Sequence, residues 1–360
     1  MTNYIEYNDM IVFHPGYYIE EIIEQNSFTQ KDFAKRLDTT EKTLSNLING
    51  KQSLSTEIAS KLSKMLGTSI KYWQNLQDEY DALMYEINSK NEILEERNVF
   101  QALEYSYFVK NYNLPSIPRN IEGQIKAVRE FLSISTLTTL TKIDVIVNFR
   151  NTQSTLTVNN IIRANTMVQI AINQALKIKA PKFNKELFEK AISYALTLTR
   201  EHDTFYPKIK EAFFKAGVLL IVLPNISGSK TNGATRKIGD NIMLMVNDRK
   251  LNSDTFWFTL FHEIGHIVNK DYGISFEKEI GEMEIATNKY AENSLIPFEE
   301  YQYFIENNKF DLQSIQEFAD KINRAPGIIL GRLQNDKKIG FDNKSLSSLR
   351  CKYKVVNTTI

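Results

Sequence analysis

The sequence predicts a mainly α-helical protein with a small α+β domain in its C-terminal half and an all-α domain of short helices at its N-terminus. Three observations carry this. From Pro15 to about Tyr80, apolar residues recur at helical spacing with tight polar connections. Two short apolar runs, "GVLLIVLP" and "IMLMVN", stand close together after Gly217 and read as buried strands. A helical segment follows them, "FWFTLFHEIGHIVNK" from Phe256 to Lys270, and it holds two of the four histidines in the chain.

At 360 residues the chain exceeds what one core usually serves, so two or three domains are expected. With 42% hydrophobic and 24% charged residues, disordered and fibrous classes drop out. The longest apolar run, "AGVLLIVLP", is about half of what a bilayer requires. The first 30 residues hold no Lys or Arg and several carboxylates, the wrong charge pattern for a signal peptide. The expectation is a cytoplasmic protein with no membrane partner. Cys351 is the single cysteine, so a metal would be held by His, Asp or Glu.

The N-terminal elements read in order. "GYYIEEIIEQN" presents Tyr18, Ile19, Ile22 and Ile23 on one helical face. Thr29 is a candidate N-cap for "SFTQKDFAKRL", with Asp32 answering it as a weak capping box. "EKTLSNLI" follows and ends at Asn49-Gly50; "LSTEIASKLSKMLG" has Ser55 as its cap and Gly67 as its stop. Ala34 is small where two of these helices would cross, with Leu44 and Leu47 placed to cover it, a spacing that fits a helix-turn-helix. At the turn, where Gly is common, stands Asp38, which tolerates a left-handed backbone. Between Thr29 and Lys71, eight Lys or Arg face four acids, whereas residues 1–28 add five acids and no base, so any DNA contact rests on a patch. Residues 81–204 read as a mostly helical connector, with a strand pair suggested in "TKIDVIVNFRNTQSTLTVN". Between the two apolar strands, "NISGSKTNGATRKIGDN" reads as a Gly-rich turn region.

On a helix, positions i and i+4 lie on one face, so His262 and His266 can present ring nitrogens to one ion. Glu263 beside them is placed to act on a water held by that ion, as a general base. Apolar neighbours from Phe256 to Ile267 mark a buried helix, and Gly265 within it suggests a close approach by another element. A third ligand is needed. Of Glu277, Glu279, Glu282, Glu284 and Glu292, the leading candidate is Glu284, which shares a helical face with Asn288, a polar residue suited to orient the ligand set; Glu282 is next. His202, Arg236, Tyr272 and Tyr290 are candidate oxyanion donors, none of them assigned.

"FWFTLFHEIGHI", then "ExxxNxYA" and "LIP", resembles the ImmA/IrrE family of metallopeptidases, gluzincin-like enzymes with a zincin-like fold, over roughly Phe205 to Arg332. Thr287, Tyr290 and Ser294 depart from the usual family pattern. The resemblance implies a Zn2+ ion on His262, His266 and Glu284, with Glu263 catalytic in peptide-bond hydrolysis. The stretch from "HPG" through "WxxLQxxYD" resembles the XRE-type, lambda-repressor-like domain of HigA-like antitoxins. It implies that Gln30 touches phosphate, that Thr40, Glu41, Lys42, Ser45 and Asn46 face base edges or backbone, and that Asn49 and Lys51 hold phosphates. The expected organisation is a DNA-binding domain over 1–80, the connector over 81–204, a peptidase domain over 205–335 and a tail over 336–360. The expected function is a regulator of a mobile-element, stress or toxin-antitoxin locus that carries a zinc-dependent endopeptidase domain, binds double-stranded operator DNA as a homodimer, is controlled by or exerts proteolysis, and has a repressor or toxin as its protein substrate or partner. The alternative is an antitoxin or repressor whose zinc domain is a sensor or interaction module.

Overall fold

The computed structural model describes residues 4–7, 10–142, 156–276 and 281–355. The chain divides into two compact units, Met1–Glu95 and Glu96–Ile360. Among the described residues no helix is long and apolar enough to cross a membrane. The strand pair suggested around residues 141–159 falls largely outside the described residues.

The first unit opens with an antiparallel hairpin, β1 (Tyr4–Tyr7) and β2 (Met10–Phe13), which the sequence reading did not anticipate. Helices α1 (Pro15–Gln25), α2 (Gln30–Arg36), α3 (Glu41–Ile48) and α4 (Thr56–Leu66) follow, and α5 (Ile70–Phe100) begins here. The expected caps are in place: Thr29 accepts from Asp32 N, Ser55 accepts from Ile58 N, and Gly67 ends α4 at φ +71°. Ile19, Phe33, Ala34, Leu44, Leu47 and Trp73 form the core. The "HPG" signature has a packing explanation. The His14 ring accepts from Gly16 N as the cap of α1, Pro15 fills its first position, and Gly16 lets α1 meet α3 backbone to backbone. In the second signature Trp73 donates to Thr68 Oγ1 at 2.8 Å, while Gln77 accepts from Leu54 N at 2.7 Å and donates to Asp81, tying α5 to the loop before α4.

In the second unit α6 (Tyr105–Tyr112), α7 (Ile121–Leu132), α8 (Val158–Leu176), α9 (Lys185–Thr197) and α10 (Phe205–Lys215) precede the sheet. The sheet holds β3 (Val218–Leu223), β4 (Thr231–Ile238), β5 (Asn241–Asn247) and β6 (Gly273–Phe276) in the order β3-β5-β4-β6; β3 and β5 are parallel and the other pairs antiparallel. α11 (Ser253–Val268) lies between β5 and β6, and α12 (Glu282–Leu295), α13 (Phe298–Glu306), α14 (Leu312–Lys321) and α15 (Pro326–Asn335) follow. The turn reading of "NISGSKTNGATRKIGDN" is corrected here, because its second half is β4. Glycine and polar residues hid that strand, whose small residues serve a close approach to α11.

Alternation along the strands gives the sheet two buried faces. Val218, Leu220, Ile242, Leu244 and Val246 pack with α9, α10, α11 and α15. Leu219, Ile221, Met243, Met245 and Ala234 pack with α6, α7 and α8, so the polar-looking segment read as a connector supplies one layer of this α/β/α stack. The segment after Asp336 is also integral. Leu346 and Leu349 are buried in the core, Cys351 O accepts from Ser253 N at 2.9 Å, and Arg350 pairs with Asp254 at 2.7 Å.

Candidate metal centre and helix-turn-helix face

One side of α11 buries Trp257, Leu260, Phe261 and Ile264 against the core, which turns His262, Glu263 and His266 towards β4 and α12. α12 reaches them because residue 265 is glycine. A Cβ there would lie 2.8 Å from Thr287 Cγ2 and 3.1 Å from Tyr290 Cδ1, which supplies the close-packing reason that the sequence implied. That approach delivers Glu284. Its Oε2 stands 3.2 Å from His262 Nε2 and its Oε1 3.2 Å from His266 Nε2, while the two Nε2 atoms are 3.1 Å apart. The other ring nitrogens are held from outside: His262 Nδ1 lies 2.9 Å from Asn288 Oδ1, and His266 Nδ1 lies 3.3 Å from Asp271 Oδ2. Glu282 is exposed on the same helix, Glu292 pairs with Arg332 at 2.9 Å, and Glu277 and Glu279 lie outside the described residues.

Glu263 is fully buried, and neither of its oxygens has a hydrogen-bond partner among the described residues. Burial pushes its carboxyl above the usual range, opposed by the imidazoles of His262 and His266 and by the nearby Ser275. Strand β4 crosses directly over it, since a Cβ on Gly233 would fall 2.5 Å from Glu263 Oε1. Burial works against a charged His266, yet Glu284, Glu263 and Asp271 outweigh it and raise that imidazole to about 9. Burial likewise opposes a charged Glu284, but its bonds to both imidazoles hold it at about 2. Glu284, Glu263 and Asp271 thus favour positive charge at His266 within a largely buried site. Among the described residues His262, His266 and Glu284 are the group whose ligand atoms converge, all within 4.8 Å of one another. Two imidazole nitrogens and a carboxylate suit a divalent cation such as zinc, and the buried carboxylate of Glu263 beside them calls for an explanation that its protein neighbours do not supply.

In the first unit α2 and α3 are joined by the turn at Asp38, whose φ is +51°, the left-handed conformation that Asp tolerates. Ala34 is buried beneath Leu44 and Leu47. Of the residues expected to meet DNA, Gln30, Thr40, Glu41, Lys42, Asn49 and Lys51 are exposed, while Ser45 and Asn46 are half-buried. Two already serve the fold. Thr40 Oγ1 caps α3 by accepting from Thr43 N at 3.0 Å, and the Asn49 amide donates to Ser45 O at 2.7 Å.

Comparison with known proteins follows the same division. A helix-turn-helix family profile matches residues 19–73, and the profile of the M78 peptidase family, the IrrE N-terminal-like domain, matches residues 218–324. Part of the chain is similar to uncharacterized HTH-type transcriptional regulators. One is YddM of Escherichia coli strain K12, with 36% identity over 64 residues, which are 18% of this chain and 68% of that protein. Another, from Haemophilus influenzae, has 35% identity over 71 residues, 20% of this chain and 66% of that protein. Among solved structures, an addiction module antidote protein of the HigA family from Coxiella burnetii is 31% identical, covering 23% of this chain and 91% of that one, with a TM-score of 0.22. The chain belongs to the HTH-type regulators and carries an M78-type domain.

Two residues of this regulator's C-terminal site escaped the sequence reading. Asp271 stands five positions after the second histidine in "HIVNKD", and an acid so soon after the helix end was the available signal. Gly233 lies in a segment whose Gly and polar residues suggest a turn, and its role appears once β4 lies over Glu263. Of the candidate oxyanion donors, Tyr290 packs against Gly265, and His202 Nδ1 is bonded to the Tyr353 hydroxyl at 2.7 Å, in a cavity that shares no residue with the metal centre.

Proposed function

We propose that this chain is a transcriptional regulator that binds operator DNA as a homodimer through α3 and carries a zinc-dependent endopeptidase domain, acting in the cytoplasm at a mobile-element, stress or toxin-antitoxin locus. The observation that carries the enzymatic half is the convergence of His262, His266 and Glu284 beside the unpartnered carboxylate of Glu263. His262, His266 and Glu284 would hold the ion. When bound, zinc supplies Lewis acidity towards a peptide carbonyl and acidifies water. Asn288 and Asp271 hold the two imidazole rings through their Nδ1 atoms, which leaves the Nε2 atoms as the donors that would hold an ion. Glu263 takes the proton of the water that attacks the carbonyl and delivers it to the departing amine nitrogen. Gly233 keeps that carboxylate in place beneath β4. For DNA, Lys42 and Lys51 supply exposed positive charge at the ends of α3, and Gln30 stands at the start of α2.

One observation favours a second reading. Glu263, His262 and His266 are 0%, 6% and 5% exposed, so a peptide reaches them only if the cover moves, and a metal domain that senses or binds a partner without cutting it fits that burial as well. Glu263→Gln separates the two. Co-expressed with the products of neighbouring genes, the wild-type chain should cleave one of them, and the variant should keep about one zinc per chain and operator binding while cleaving none. Equal cleavage by both sinks the peptidase reading. Intact capture of a partner by both selects the sensor.

A further inference from the structure

A cavity of about 570 Å³ opens at the carboxyl ends of the parallel strands β3 and β5, lined there by Ile221, Val222, Asn247 and Asp248. Ligands of open α/β sheets sit at that end of the strands, and the volume lies within the roughly 300–1,000 Å³ of small-molecule sites. None of its lining residues belongs to the metal centre.

Its wall is aromatic. Phe205, Tyr206, Phe256 and Tyr353 line it, with Phe205 stacked on Tyr353 at 5.0 Å and edge-on to Phe256 at 5.4 Å. Its rim is basic, with Lys210, Arg249, Lys352 and Lys354 against Asp203 and Asp248. Asp248 is already engaged, accepting from Asn225 N at 2.8 Å and from Val355 N at 3.1 Å. Lys210, Lys352 and Lys354 have no carboxylate partner among the described residues. An apolar, ring-lined chamber under unpaired ammonium groups selects a ligand with one flat face and one negative end.

We propose that this cavity binds a small organic anion bearing a planar ring, with the ring against the Phe205–Tyr353 wall and the anionic group towards the lysines and Arg249. The ligand would also brace α11. Tyr353 N donates to Leu251 O, Lys352 is bridged to Asn252, and Phe256 lines the cavity; His262 lies six residues further along the same helix, about 9 Å away. Nothing in this depends on peptide cleavage.

The test is calorimetric titration of the full chain with adenosine monophosphate and, separately, indole-3-acetate, which distinguishes phosphate from carboxylate anions. At least one should bind with a Kd below about 1 mM and raise the melting temperature, and its neutral counterpart, adenosine or indole, should bind roughly tenfold more weakly or less. Combining Lys210→Ala, Lys352→Ala and Lys354→Ala should weaken binding about tenfold or more while the free chain melts as before. The Glu263→Gln chain should bind as the wild type does, so failure of the peptidase reading leaves this one standing. No binding of either anion at about 5 mM, or binding indifferent to the lysines, overturns the proposal.

Discussion

The candidate metal centre and the helix-turn-helix face are built in opposite ways. The first gathers Gly233, the His262–His266 turn, Asp271 and the Glu284–Asn288 turn from two strands' surroundings and two helices, and buries its working groups. The second confines its candidates to residues 30–51, leaves most of them exposed, and fixes them by local caps and one left-handed turn. In the candidate metal centre, scaffold and chemistry share the same side chains. On the helix-turn-helix face only Thr40 and Asn49 of the candidates also hold the fold, so at exposed positions such as Lys42 and Lys51 function can be broken without touching stability.

The largest effect expected is on scaffold alone. In Gly16→Ala the new Cβ would stand 2.0 Å from Leu47 O and 2.9 Å from Ile48 Cα, both backbone atoms of α3 that cannot step aside. A loss of about 3 kcal/mol or more from the N-terminal unit is expected, since overpacking against backbone has no cheap relaxation. Calorimetric melting should show it, with the transition of the second unit unmoved. A cost below about 0.5 kcal/mol would mean that the "HPG" signature is not kept for packing.

A middling effect is expected where scaffold and chemistry overlap. Asp271→Asn removes the charge that holds His266 Nδ1 while keeping the shape of the side chain. Zinc affinity should fall about 10- to 100-fold in a chelator competition, with Asn288→Ala similar through His262. If Asp271→Asn binds zinc as tightly as the wild type, packing rather than this carboxylate orients His266.

This contrast also explains what could be read in advance. His262, Glu263 and His266 lie within one helical turn, and Glu284 and Asn288 within another, so spacing alone placed them on shared faces. Asp271 and Gly233 acquire their roles only when β4 and the end of α11 come together, which no single-segment pattern encodes. β4 itself was lost among Gly, Thr and Asn because its burial is set by neighbours on both faces rather than by its own hydrophobicity. The layer formed by α6, α7 and α8 was hidden for a related reason: its residues are ordinary amphipathic helix, and only the sheet shows what they cover. In the N-terminal unit the legible residues were the structural ones: the caps Thr29 and Ser55, the stop at Gly67, the turn at Asp38 and the crossing of Ala34 with Leu44 and Leu47.

The smallest effects, on two residues of α3 and its cap, sharpen the comparison most. Thr40 caps the helix through its hydroxyl, and Lys42 is exposed two positions later. Thr40→Ala should cost about 1 kcal/mol of stability in the N-terminal unit, because a backbone N–H at the helix start loses its acceptor. Lys42→Ala should leave the melting curve in place. Its effect belongs to binding: if Lys42 neutralises a phosphate, operator affinity falls and the slope of log K against log salt becomes shallower by about 0.9, whatever the operator sequence. If it reads a base edge instead, affinity should fall by about 1–3 kcal/mol on the cognate operator and hardly at all on unrelated DNA. An unchanged affinity and slope would remove Lys42 from the interface and shift the expected contact to Lys51, the exposed lysine just beyond the end of α3.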